Sequence, residues 1–173
     1  MLNRIIATLA LSLAIAPGVF AANLCMTNIE KHIRYPVTLD LDRCKLTDAD
    51  MPAIVEFLNA HPFLETLLAD KNQFSSDSLD DLKKAQYLTV ISLNDNHIDD
   101  AGAFSLAEMK KLKILQLAHN QLRDQAGTAF ASHPNLITID FSYNQIGNIS
   151  AHALGGIASL QRLQLEHNKI GDT

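Results

Sequence analysis

LTVISLNDNHI (residues 88–98), LKILQLAHNQL (112–122), LITIDFSYNQI (136–146) and LQRLQLEHNKI (160–170) follow one another at a fixed step of 24 residues. Each has an aliphatic residue at its first and fourth positions, Leu or Phe at the sixth, Asn at the ninth, and Leu or Ile at the eleventh. An earlier copy, LETLLADKNQF (64–74), keeps the step but has Ala69 at the sixth position. A sixth, PVTLDLDRCKL (36–46), stands 28 residues before that one and has Cys44 in the place of Asn. A period of this size marks a solenoid of stacked units.

Within each copy, apolar residues at the fourth and sixth positions alternate with polar ones, as in Leu115-Gln116-Leu117. That is the period of a short strand with one buried face. The second half of each unit changes to helical spacing: Met51, Ile54, Val55 and Leu58; Leu79 and Leu82; Ala103, Leu106 and Met109; Ala151, Leu154 and Ile157. Neither half can bury its apolar face alone, so neighbouring units must share one core. The spacing predicts six parallel strands with helices behind them.

These segments resemble the leucine-rich repeat family, whose consensus LxxLxLxx(N/C)xL they match from about residue 36 to the C-terminus. The tails IDDAGAFSLAEMKKLK (98–113) and LRDQAGTAFASHPNL (122–136) are similar to the helical backs of ribonuclease-inhibitor-like repeats, though shorter. The resemblance implies an α/β solenoid, a right-handed α/β horseshoe with a concave parallel sheet of about six strands and a convex helical side. It further implies that Asn72, Asn96, Asn120, Asn144 and Asn168 turn inward as a structural ladder bonded to the backbone. Gly102 and Gly127, near the helical starts, read as turn or close-packing residues.

The N-terminus has one basic residue, Arg4, then an apolar run from Ile5 to Ala16, a Pro17-Gly18 breaker and Val19-Phe20-Ala21. This is the pattern of a secretory signal peptide, residues 1–21, cleaved after Ala21. Residues 22–35 then form an N-terminal cap segment, and residues 36–173 the repeat domain, with repeats starting near 36, 64, 88, 112, 136 and 160. The expected destination is export, to the periplasm or the medium, with no stable membrane insertion after cleavage. In an oxidising compartment Cys25 and Cys44 pair and tie the cap to the first repeat. The other reading keeps Cys44 as a buried thiol in the ladder and Cys25 free, with no histidine beside either to make it reactive.

The outward strand residues form the candidate face. Leu68, Val90 and Ile114 read as an apolar patch, His119, Tyr143 and His167 as one aromatic column, and Gln116, Asp140 and Arg162 as polar neighbours. The partner expected there is a protein, of no identity that the sequence reveals. Catalysis, a metal or a cofactor is not expected. His119 and His167 lie two strands apart, about 10 Å at roughly 4.8 Å per strand, and no metalloprotease, nucleophile-elbow or phosphate-loop motif occurs. The net charge of −5, with acids and bases interspersed, offers no basic stripe for nucleic acid.

Six short strands project only about 400 Å², half of the about 800 Å² that a stable interface buries per partner. A partner therefore also touches the loop edges, or is small, or binds weakly, or two copies associate. The chain stops just after its last strand motif, which reads as an open C-terminal edge suited to a homodimer. Function is accordingly expected as a non-enzymatic protein-binding scaffold that uses its concave face. The alternatives are a secreted bacterial effector that engages host proteins and a self-associating structural or envelope protein.

Overall fold

The computed structural model describes residues 24–34 and 37–171. Residues 1–21, expected from the sequence to be a signal peptide, lie outside them. Strands β2 (Thr38–Asp40), β3 (Thr66–Leu68), β4 (Val90–Ser92), β5 (Ile114–Gln116), β6 (Thr138–Asp140) and β7 (Arg162–Gln164) pair in sequence order, all parallel. The register is that of the 24-residue step: Val90 faces Ile114, which faces Thr138, which faces Arg162. One strand was not anticipated. The cap segment contributes β1 (Ile33–Arg34), which pairs antiparallel with β2 and makes the sheet seven-stranded. The six parallel strands expected are all present, and the cap adds a seventh, antiparallel strand that covers the first edge.

The backs are more varied than periodicity predicts. Helices run over Met51–Ala60, Leu79–Leu82, Asp100–Ala107 and Asn148–Gly155. The tail from Leu122 instead forms only a 3₁₀ segment, Ala126–Phe130, and Met109 and Ile157 fall just beyond their helices. Gly127 accounts for part of this tight packing: a Cβ there would meet the Ser150 carbonyl oxygen at 2.6 Å and its Cα at 2.8 Å. The next back therefore lies directly against this one. Gly127 N–H donates to Ser150 Oγ at 2.9 Å, fixing the approach.

The core lies between sheet and backs. The fourth-position residues Leu39, Leu67, Ile91, Leu115 and Ile139 are fully buried, and Phe74, Phe130 and Phe141 fill its widest parts. Fully burying one such side chain stabilises by about 1.5–3 kcal/mol, and each is shared between adjacent rungs. Among the described residues no helix is long and apolar enough to cross a membrane.

Buried amides join the rungs. Each Asn Oδ1 accepts from a backbone N–H of the preceding rung: Asn72 from Leu46 at 2.9 Å, Asn96 from Phe74 at 3.0 Å, Asn120 from Ile98 at 2.9 Å, Asn144 from Leu122 at 3.0 Å and Asn168 from Ile146 at 2.8 Å. Each Nδ2 donates back to that rung, to the carbonyls of Leu41, Ala69, Leu93, Leu117 and Phe141 in turn. It also reaches the carbonyls three and two residues before its own Asn, as Asn96 does to Leu93 and Asn94, both at 3.1 Å. Among the described residues no buried side-chain nitrogen or oxygen lacks a partner.

The first rung replaces this amide with a covalent tie, a disulfide between Cys25 and Cys44. The two are 19 residues apart in sequence. A loop of this length is expected to contribute about 3 kcal/mol by restricting the unfolded chain.

Two measurements follow from this packing. Asn96→Ala strands the buried Phe74 N–H and removes one of the donors to the Ala69, Leu93 and Asn94 carbonyls, which keep Asn72, Asn120 and the Lys71 N–H, and should lower unfolding free energy by about 1–3 kcal/mol in urea titration. Asn168→Ala, on the more exposed last rung, should cost less. Equal effects from the two would contradict a ladder whose worth depends on burial.

Candidate functional site

The outward residues of each segment sit at its third, fifth, seventh and eighth positions. The eighth carries a backbone feature absent from the sequence pattern. Arg43, Lys71, Asp95, His119, Tyr143 and His167 all have φ between 54° and 58°, the left-handed region. For a residue other than glycine this costs roughly 1–2 kcal/mol. From Lys71 onward the adjacent Asn helps to hold it: its amide grips the carbonyls of the sixth and seventh positions and closes the turn around the eighth, whereas Arg43 takes the same backbone beside Cys44. The side chain of the eighth residue is thereby set on the rim where the chain leaves the sheet.

Three of these residues stack. The Tyr143 ring lies 4.1 Å from that of His119, with 11° between their planes, and 4.2 Å from that of His167, with 20° between them. Tyr143 is 47% exposed although both its faces are covered, so the column offers solvent its ring edges and polar tips. The tyrosine between them makes the two histidines ends of one stack rather than a shared ligand pair.

The apolar patch is arranged differently from its reading as successive neighbours. Val90 and Ile114 face each other across β4 and β5, but Leu68 stands in the fifth-position column, where it pairs with Ser92. All three are half-buried, and Leu68 lies diagonal to the other two. Gln116 and Asp140 pair in that same column, and Arg162 is exposed in the third-position column.

The seventh position carries a second polar ladder. Asp42 Oδ1 accepts from Asp70 N–H at 2.8 Å, Asp70 Oδ1 from Asn94 N–H at 2.8 Å, and Asn94 Oδ1 from Ala118 N–H at 2.7 Å. Ala118 has no polar atom to continue it, and Ser142 N–H turns to Asp140 Oδ1 in its own rung. Partial burial pushes the Asp42 carboxyl above its ordinary value, with the neighbouring Asp70 and Asp40 charges adding to this against its bond to the Asp70 backbone. At the other end, the Ser142 hydroxyl donates to Glu166 at 2.6 Å and holds that carboxyl low, with smaller help from Arg162 and His167. The face thus divides into an acidic, self-bonded N-terminal half and a C-terminal half that displays aromatic edges.

Two groupings escaped the sequence reading. On the opposite loop edge, Phe63 and Tyr87 are 48% and 39% exposed. His61 joins Phe63 to Phe57 by ring contacts at 5.7 and 4.2 Å, and Lys111 Nζ lies over the Tyr87 ring. Their signal was the period itself, since Phe63 and Tyr87 are 24 residues apart. The second grouping is one that the sequence did not imply strongly: His32, from the cap, lies with Cys25 and Cys44.

His133 is buried and structural. Nε2 faces the Met109 carbonyl at 3.2 Å, which can only accept, so Nε2 carries the proton, and Nδ1 takes the Asn135 N–H. Burial lowers its pKa below 6.5, ahead of the opposing bond to Met109.

A leucine rich repeat family model matches residues 111–170, and a second leucine rich repeat model matches residues 84–107. No curated protein matches the chain in sequence. Among solved structures, an internalin (inlF) from Listeria monocytogenes aligns at a TM-score of 0.61 and 21% identity, over 79% of this chain and 43% of that one. The chain thus spans less than half the length of that internalin, and the likeness concerns the fold. An internalin C2 (inlC2) from the same organism aligns at 0.41 with 20% identity, over 79% of this chain and 74% of that one. The PEPR1–AtPEP1 structure aligns at 0.47 with 23% identity, over 78% of this chain and 22% of that one.

The His133 geometry sets a pH dependence. With the folded pKa below 6.5, its contribution is complete above pH 6.5 and is lost as pH falls through and below that value. His133→Gln retains a donor and an acceptor without the charge. It should flatten the fall in unfolding free energy between about pH 7 and 5, and an unchanged slope would contradict the assignment.

Proposed function

The chain is a leucine-rich repeat protein, and from that premise we propose that it is an exported, non-enzymatic scaffold that binds a protein partner with the C-terminal half of its concave face. The observation that carries this is the stack of His119, Tyr143 and His167, raised on strained backbone at the rim and open to solvent along its edge. Glycine would relieve that strain at every one of these positions, and none has it. What the strain supports is a row of displayed side chains, in residue types that commonly anchor interfaces.

Footprint supports the same location. The sheet alone is about half of the roughly 800 Å² per partner of a stable interface, and the rim residues extend it on the side where the aromatics gather. Val90 and Ile114 add half-buried apolar surface beside Gln116, with Asp140 and Arg162 as the polar surround. The Asp42–Asp70–Asn94 half has its acceptors committed to neighbouring backbone, which leaves less for a partner to engage. The Cys25–Cys44 bond supports an oxidising, exported setting.

Tyr143→Asn tests the reading cleanly, because Asn tolerates left-handed backbone better than most residues. Affinity for a captured protein partner should fall by about 30-fold or more, the scale of an aromatic anchor, with thermal stability nearly unchanged. Phe104→Ser, on the helix Asp100–Ala107 and 50% exposed, should leave binding intact. Binding lost through Phe104 and kept without Tyr143 would place the partner on the back and refute the proposal.

A further inference from the structure

The first rung breaks the ladder's chemistry. Where each later rung has an Asn amide, it has Cys44, bonded to Cys25 of the helical turn Leu24–Thr27. Beside them is His32, the last residue of the 3₁₀ segment Ile29–His32. Its ring nitrogen and the two sulfur atoms lie within 4.8 Å of one another, brought together from three separate pieces of backbone.

The hydrogen bonding of His32 orients the ring. Nδ1 lies 2.9 Å from the Asp40 carbonyl oxygen. A carbonyl accepts and cannot donate, so Nδ1 carries a proton, and in the neutral ring the lone pair is on Nε2. Metal-binding imidazoles are held in this way, one N–H anchored on a backbone carbonyl while the other nitrogen coordinates. Two sulfurs and one such imidazole also form a donor set that thiophilic ions prefer.

We propose that Cys25, His32 and Cys44 form a redox-gated site, closed by the disulfide when oxidised and binding a thiophilic cation of the Zn²⁺ type through two thiolates and one imidazole when reduced. A dithiol reductant gives two electrons and two protons to the sulfur–sulfur bond and becomes a disulfide itself, leaving two thiols. Binding of the divalent ion then releases both thiol protons and forms two metal–sulfur bonds and one metal–nitrogen bond. Donors around tetrahedral zinc stand roughly 3.4–3.8 Å apart, from bond lengths of about 2.3 Å to sulfur and about 2.0 Å to nitrogen. After reduction the two sulfurs must separate to that spacing while the imidazole nitrogen, already within 4.8 Å of them, stays at or draws in to it. Three protein donors leave the fourth tetrahedral position to water.

The consequence is mechanical. Either state joins the cap, which supplies Cys25, His32 and β1, to the first rung, which supplies Cys44 and the Asp40 carbonyl. With the metal bound, the first edge of the solenoid stays covered under conditions that would open the disulfide.

The test is a titration of the full chain, reduced without air by a phosphine, with Co²⁺ as the spectroscopic probe and then with Zn²⁺. The expected result is a thiolate-to-cobalt charge-transfer band that saturates at one ion per chain and disappears on addition of zinc. Cys44→Ser should abolish the band. His32→Asn, which retains a donor for the Asp40 carbonyl but has no imidazole, should weaken binding by about 10–100-fold while the oxidised variant melts as the parent does. A folded, reduced chain without the band overturns the proposal. So does a band that His32→Asn leaves unchanged, or a disulfide that yields to the phosphine only as the chain unfolds.

Discussion

The carboxamide of the ninth-position asparagine is the interaction on which the rest of this structure depends. A strand of three residues exposes backbone groups at both ends, and burying them unpaired would cost about 1–3 kcal/mol each. The amide satisfies them with one oxygen and two hydrogens, joining a backbone N–H and a carbonyl of the preceding rung to two carbonyls of its own. It thereby staples neighbours together and closes the turn in a single set of bonds. With three-residue strands and backs as short as four residues, the amide adds its bonds to those of the paired strands and to the shared core in fixing the relation of one rung to the next.

The same closure shapes the proposed binding surface. Gripping the carbonyls two and three residues earlier holds the residue before the Asn in the left-handed backbone that Arg43 also adopts beside Cys44, and that residue's side chain is displayed at the rim. Repetition at the rung spacing turns single side chains into columns, and in the last three rungs the column is His, Tyr and His at stacking distance. In these rungs fold and display therefore meet in one turn, which a buried amide closes beside an exposed ring.

The period and the strand positions were legible because the solenoid repeats one solution to one local problem, and the inward course of the asparagines was what the family resemblance implied. What the period could not carry lies where the chain departs from it. Strand β1 comes from the cap, which has no counterpart in the repeats. The 3₁₀ back at Ala126–Phe130 packs through Gly127 against the Ser150 backbone, a contact between units that a single unit's spacing does not encode. His32 reaches the cysteines through the fold of the cap alone. On the face, the aromatic column was readable from the 24-residue step, whereas Leu68 was grouped with Val90 and Ile114 although it stands in another column. The choice of face within one strand follows from its period of two, and Leu68 is two residues further along its strand than Val90 is along the next.

The most direct measurement of the central claim is native-state hydrogen exchange of the backbone N–H groups of Phe74, Ile98 and Leu122, which the amides of Asn96, Asn120 and Asn144 accept. If these amides lock the rungs, the three N–H groups exchange only through global unfolding, with one common free energy equal to that from denaturant titration. Exchange at the rate of the exposed loops, while the strand N–H groups stay protected, would mean that the rungs are held by core packing alone, and would contradict the account.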